Sequence, residues 1–261
     1  MPKNLAILLI LSLCSAGLLH AQTPKVVASN PASSILKKNV KQMVRLPDSY
    51  AKSQQKYPVL FVLQVTDEMV EEIAGIAQKL HTDSGTPEMI VVGISAEDKL
   101  ERKQENAVYD KFLSYLEQEL IPSIEKKYRC NGQRVLHGRS LSGSFTLYAM
   151  LSKPALFNGY IAASKEWYDK NNDYFTGLAN KALQSADKFK DKKIFLATLN
   201  GAYNNNNIPE VNENMTTFAK LLASKSGNKI ASKYQAFDDW SVVDPHPGFK
   251  EGLLFVTKAG K

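Results

Sequence analysis

Cysteine and histidine are the scarce residues of this chain, with two of the first and four of the second among 261 positions. So few thiols and imidazoles, in no paired spacing, exclude a metal-assisted centre, and nothing in the sequence calls for a cofactor. Long apolar runs are missing beyond the N-terminus, where none approaches the roughly 18 residues of a membrane span. Acidic residues are outnumbered by basic ones, leaving a net charge of +7. The lysines are nevertheless scattered, with modest clusters at Lys37-Lys38 and Lys188 to Lys193. No basic stripe interleaved with aromatics is present, which excludes nucleic acid as a partner and leaves a solvated, mildly basic surface. Repeats and low-complexity blocks are missing too, apart from the polar run Asn204 to Asn207.

What is present begins with a signal-like N-terminus. Lys3 supplies a positive start, Leu5 to Leu13 an apolar core, and Leu19-His20-Ala21 a cleavage site before Gln22. Residues 1–21 therefore read as a secretory signal peptide, and the mature chain is expected to be secreted or periplasmic. Bulky Leu13 ahead of Cys14 argues against a lipid-modified cysteine. Removal of the signal leaves Cys130 alone, so no internal disulfide can form, and Cys130 reads as an inert small residue of the Arg129–Gly132 turn. Residues 22–38 are rich in Pro, Ser, Ala and Lys without periodicity and read as a flexible leader. Residues 39–261 form one domain on this reading.

Within that domain, Tyr57-Pro58-Val59-Leu60-Phe61-Val62-Leu63 and Met89 to Ile94 are continuous apolar runs, as strands covered on both faces should be. Val40 to Leu46, Gly159 to Ala163, Lys193 to Thr198 and Tyr234 to Phe237 are further strands. Helical spacing runs over Asp67 to Leu80 and over Ala107 to Tyr128, where Pro122 predicts an irregularity. Further helices fall near Phe175–Lys188, Met215–Leu222 and Phe249 to Thr257. Strands alternating with helices predict an α/β fold, with a largely parallel central sheet and helices on both faces.

The chemistry-bearing stretch is Arg134-Val135-Leu136-His137-Gly138-Arg139-Ser140-Leu141-Ser142-Gly143, which runs straight into helix-forming residues from Phe145. Its shape is that of a nucleophile elbow, a tight strand-to-helix turn that lifts a hydroxyl clear of the sheet. Positions two before and two after the nucleophile must be nearly bare; Gly138 meets this fully and Ser142 narrowly. Ser140 would stand at a helix N-terminus, where backbone N–H groups favour developing negative charge.

These segments, with Pro154-x-Leu156-Phe157-x-x-Tyr160-Ile161 and Gly252-Leu253-x-Phe255, come in an order that resembles the putative-esterase family of α/β hydrolases, which includes enterochelin-esterase-like and esterase D-like enzymes. The likeness runs from about Val40 to Val256. It implies an α/β-hydrolase fold and places Ser140 at the nucleophile position. It also exposes departures. The family's catalytic His precedes a Ser-Val pair; matching Ser241-Val242 to it puts Asp239 there, and a gapless match of the later residues puts Ser241 there. His20 leaves with the signal, His81 ends a helix, and His137 lies within the elbow strand with its ring directed into a sheet face. His246 is then the candidate base. The acid position, after Ile194 to Thr198, reads Leu199-Asn200-Gly201-Ala202-Tyr203-Asn204, without a carboxylate. The oxyanion turn, Asp-Gly in the family, is Gln64-Val65-Thr66, and a β-branched residue resists positive φ there. The backbones of Gln64, Val65 and Leu141 are the candidate oxyanion donors.

Two readings follow. In one, the chain is a catalytically degenerate relative that keeps the pocket and binds a small-molecule ester, carbohydrate or peptide, with Arg139, Trp167, Tyr168, Tyr203 and Trp240 at its mouth. In the other, it is a working serine carboxylesterase using Ser140 with His246 as base. Loss of the base alone costs about 10⁶-fold in kcat in a well-studied serine protease, so the two readings differ sharply in expected turnover.

Overall fold

The computed structural model describes residues 26–95, 106–163, 172–199, 208–237 and 248–258. The expected signal peptide, and the candidates Trp167, Tyr168, Tyr203, Trp240 and His246, lie outside the described residues.

The apolar runs become the inner strands of one eight-stranded sheet. In chain order its strands are β1 (Val27–Ser29), β4 (Gln42–Arg45), β5 (Tyr57–Val65), β6 (Ile90–Ser95), β7 (Cys130–Arg139), β8 (Gly159–Ala163), β9 (Lys192–Leu199) and β10 (Ile230–Phe237). A separate hairpin pairs β2 (Ala32–Ser33) with β3 (Lys38–Asn39). The spatial order is β1-β4-β6-β5-β7-β8-β9-β10. The pairs β1·β4 and β4·β6 are antiparallel, and every other pair is parallel.

Strand alternation sorts the core into two faces. From β5, Val59, Phe61 and Leu63 join a cluster with α2 (Asn106–Tyr115), α3 (Ile121–Lys127), α4 (Leu141–Ser152), α5 (Asn172–Ala182) and α6 (Ile208–Lys225). Leu60 and Val62 join the opposite cluster with α1 (Asp67–Ser84) and α7 (Phe249–Thr257). Helices thus cover both faces, as the alternating pattern predicts. Helix α4, entered directly from the elbow, is buried from Ser142 to Leu151, and a helix that is apolar nearly all round belongs in such an interior position.

The structure differs locally from the sequence reading in three places, and two of the differences have an evident physical cause. The segment 22–38, expected as a flexible leader without periodicity, holds β1 and β2 and the first residue of β3 within its described part. The Glu119 carboxylate gathers this segment, accepting hydrogen bonds from the Ser33 and Ser34 hydroxyls, from Ser34 N–H at 2.9 Å and from Ile35 N–H at 3.1 Å. A partner 85 residues away in the chain leaves no trace in local periodicity. Second, the expected long helix is interrupted by a π-helical turn, Leu116–Leu120, between α2 and α3. Pro122 has no N–H for the carbonyl four residues back, and the chain widens just before it, Ile121 N–H bonding Leu116 O. Third, α6 begins at Ile208 and β10 at Ile230, ahead of the expected Met215 and Tyr234.

Candidate active site

The strand order reverses around β5. The chain leaves β5 over one face through α1 to β6, then crosses the other face through α2 and α3 to β7 on the far side. Such a switch point opens a crevice at the carboxyl ends of the two diverging strands. Here those ends are Gln64-Val65 and Arg139-Ser140. A cleft of about 330 Å³ occupies the place, lined by Val62, Leu63, Gln64, Val65, Met69, His137, Arg139 and Ser140.

Ser140 has φ 57° and ψ −126°, a conformation that L-residues rarely adopt and that costs on the order of 1–3 kcal/mol. The turn is held from three sides. Ser140 N–H donates to Ala163 O of β8 at 2.8 Å, while Ser140 O accepts from Gly143 N–H at 2.9 Å. Gly138 lies so close to the first turn of α4 that a Cβ there would stand 2.1 Å from Ser142 O. The Ser142 hydroxyl accepts from Arg139 N–H at 2.9 Å and donates to Arg139 O at 2.7 Å. Sequence reasoning treats Ser142 as a tolerated stand-in for glycine; its hydroxyl in fact braces the elbow, a role that the pattern Gly-x-Ser-x-Ser only hints at. Leu141 opens α4, so its N–H belongs to the first turn, whose donors have no partner within the helix.

Across the cleft the strain sits where the sequence did not put it. Gln64, not Val65, takes the positive φ, at 57°. The β5·β6 register slips at this residue, from Leu63 opposite Ile94 to Val65 opposite Ser95. A bulge of this kind turns the following side chain to the other face. Val65 accordingly leaves the face of Leu63 and packs, buried, with Met43 and Val70. The expectation that a β-branched residue strains the oxyanion turn is therefore corrected: an unbranched residue carries the left-handed conformation. Thr66 then caps α1, its hydroxyl accepting from Met69 N–H at 3.4 Å.

The two described histidines are placed by the sheet and by α1. The His137 ring lies on the α1/α7 face, its centroid 5.0 Å from that of Phe249, with Nδ1 donating to Ile161 O at 3.1 Å. His81 sits in the last turn of α1, its Nδ1 donating to Thr86 O at 2.6 Å. Fifteen residues of helix separate it from the Thr66 end, on the order of 22 Å. Arg139 and Ser140 share the cleft with Gln64 and Val65.

A mostly parallel sheet with this strand order, helices on both faces and a serine on a strained strand-to-helix turn at the switch point define an α/β-hydrolase fold. Solved structures agree. An IroE-like serine hydrolase from Shewanella oneidensis superposes with a TM-score of 0.73 at 23% identity, covering 88% of this chain and 80% of that one. The BES protein from Bacillus cereus superposes with a TM-score of 0.71 at 16% identity, covering 99% and 100%. The model of the family described as putative esterase matches residues 33–242, and the chain belongs to that family. It is also 30% identical over 133 residues to the ferri-bacillibactin esterase BesA of Bacillus subtilis (strain 168), a stretch that is 48% of this chain and 43% of that esterase.

Proposed function

We propose that the protein recognises a small-molecule ester in the Ser140 cleft and turns it over slowly or not at all, as an exported ligand-binding relative of the serine esterases. The observation that carries this reading is the charge inventory of the cleft. Among the described residues its ionisable groups are His137 and Arg139. His137 sends Nδ1 to Ile161 O and stacks on Phe249, and Arg139 is a cation that cannot take a proton. The family's base position is filled by Asp239 or Ser241, and the acid position lacks a carboxylate. Among the described residues the cleft keeps the substrate-facing turn with no carboxylate to orient a base, and such a cleft binds an ester better than it cleaves one. The relative from Bacillus subtilis, named as a ferri-bacillibactin esterase, supports a siderophore ester as the ligand class.

A second reading is favoured by the backbone. The φ 57° of Ser140 and of Gln64 are costly conformations, and both stand on the cleft. Strain of this sort is kept where an oxyanion must be met, so an active esterase with His246, from the segment joining β10 to α7, as base is the alternative. Fluorophosphonate labelling and p-nitrophenyl ester hydrolysis, with Ser140→Ala and His246→Ala alongside, separate the two. A folded wild type that binds a siderophore ester without labelling or turnover supports the first reading. Labelling and turnover abolished by both substitutions would replace it with the second.

A further inference from the structure

The edge of the sheet opposite Ser140 carries a larger concave feature, a groove of about 860 Å³. Parallel pairing brings the middle of β7 and the starts of β8, β9 and β10 to this edge: Val135 lies opposite Gly159, Gly159 opposite Lys193, and Lys192 opposite Ile230. Six residues of β7 separate Arg134 from Ser140, a distance on the order of 20 Å. The Lys188 to Lys193 cluster, scattered surface charge on the sequence reading, feeds into this groove. Arg134, Lys190, Lys192, Lys193, Lys229 and Lys258 line it, against Asp191 as the lining carboxylate.

The partners of these cations satisfy hydrogen bonds more than they neutralise charge. Lys192 Nζ donates to Phe157 O at 2.9 Å, Lys193 Nζ to Lys258 O, and Arg134 Nη1 to Leu156 O at 2.9 Å. Carbonyl oxygens accept protons without carrying a full negative charge. Among the described residues, carboxylates form ion pairs with two of the six: Glu125 with Arg134 at 3.0 Å and Asp187 with Lys229 at 2.7 Å. With Asp191 included, six cations face three carboxylates. The Lys192 amine is half-buried, and its pKa is lowered by that burial first and by the neighbouring Arg134 second. Among the described residues, like charges have been brought together with fewer carboxylates than cations.

We propose that this groove binds a small, multiply charged oxyanion of the pyrophosphate or phosphate-ester class. The excess of three positive charges matches an anion of that kind. The guanidinium of Arg134 is already engaged by Glu125 and Leu156, so the remaining donors are lysine ammonium groups, point charges suited to phosphoryl oxygens. The groove is concave and of small-molecule size, unlike the flat basic face that would dock on a lipid surface. The site is independent of the Ser140 cleft.

Isothermal titration calorimetry of the full chain with inorganic pyrophosphate at low salt tests this. Saturable one-to-one binding is expected, unchanged in Ser140→Ala. Lys190 and Lys258 are exposed, so the double variant Lys190→Gln/Lys258→Gln keeps its fold, and its Kd should rise roughly tenfold. Lys192→Gln, checked for folding by thermal melting, should weaken binding by at least as much. Absence of saturable heat, or affinity that both sets of substitutions leave unchanged, overturns the proposal. So does binding confined to anionic vesicles or RNA with none to pyrophosphate.

Discussion

Gly138→Ala is the sharpest perturbation of the elbow. The added Cβ would meet Ser142 O at 2.1 Å, Ser142 C at 2.4 Å and Thr146 Oγ1 at 2.6 Å. Two of these are backbone atoms, so no rotamer change relieves the clash. The first turn of α4 must move away from β7 by on the order of 1 Å, and α4 is buried from Ser142 to Leu151, which passes the shift into the core. Overpacking of this severity costs about 3 kcal/mol, the upper end for a small-to-large change. For a domain of this size that lowers Tm by roughly 6–12 °C. Gly75→Ala provides the control within the same chain. Gly75 is exposed in the middle of α1, with nothing within 4 Å of its would-be Cβ, so alanine should stabilise by about 1 kcal/mol through helix propensity. Urea denaturation of both variants reads the difference. A Gly138→Ala loss below about 1 kcal/mol, or the same sign for both variants, would refute the packing argument.

Gln64 carries a left-handed conformation, so Gln64→Gly should change stability by less than about 0.5 kcal/mol, strain relief offsetting backbone entropy, whereas Gln64→Val should cost about 1–2 kcal/mol. Urea titration distinguishes them. Hydrogen bonds from Ser33 and Ser34 hold the Glu119 carboxyl below its ordinary value of 4.5. A depressed folded pKa stabilises above the unfolded value and loses that contribution as pH falls through the folded one. The hydrogen-exchange protection factors of residues 26–39, which correct for the intrinsic pH dependence of the rate, should therefore hold at neutral pH and fall in acid below the ordinary carboxylate range, and Glu119→Gln should lower them at neutral pH. Burial first and Glu125 second push the Cys130 thiol up to about 11. Iodoacetamide alkylation of Cys130 at pH 8 should run roughly 100-fold slower in the folded protein than in urea, followed by peptide mapping. Equal rates would show the thiol to be exposed.

Much of the architecture was legible in the chain because its causes are local. The run Tyr57 to Leu63 reads as a strand buried on both faces, and it is; Gly159 to Ala163 and Phe249 to Thr257 match their elements end to end. Ser140 stands out because the elbow's steric demands fall within five consecutive residues. The misread parts depend on distant partners. The stretch around Ser33 to Ile35 looks like part of a leader because the carboxylate that gathers it belongs to Glu119. The Gln64–Val65 turn looks strained at Val65 because a bulge cannot be seen without the register of the neighbouring strand.

The sequence by itself determined the alternation of strands and helices, the elbow serine and the family likeness, since periodicity and tight-turn sterics act over a few residues. Only the tertiary structure decided which residue bears the strain at Gln64, what Ser142 holds in place, and that six cations from four separate segments share one groove. Those facts follow from parallel pairing, which aligns strand starts on one edge and strand ends on the other, whatever their separation along the chain.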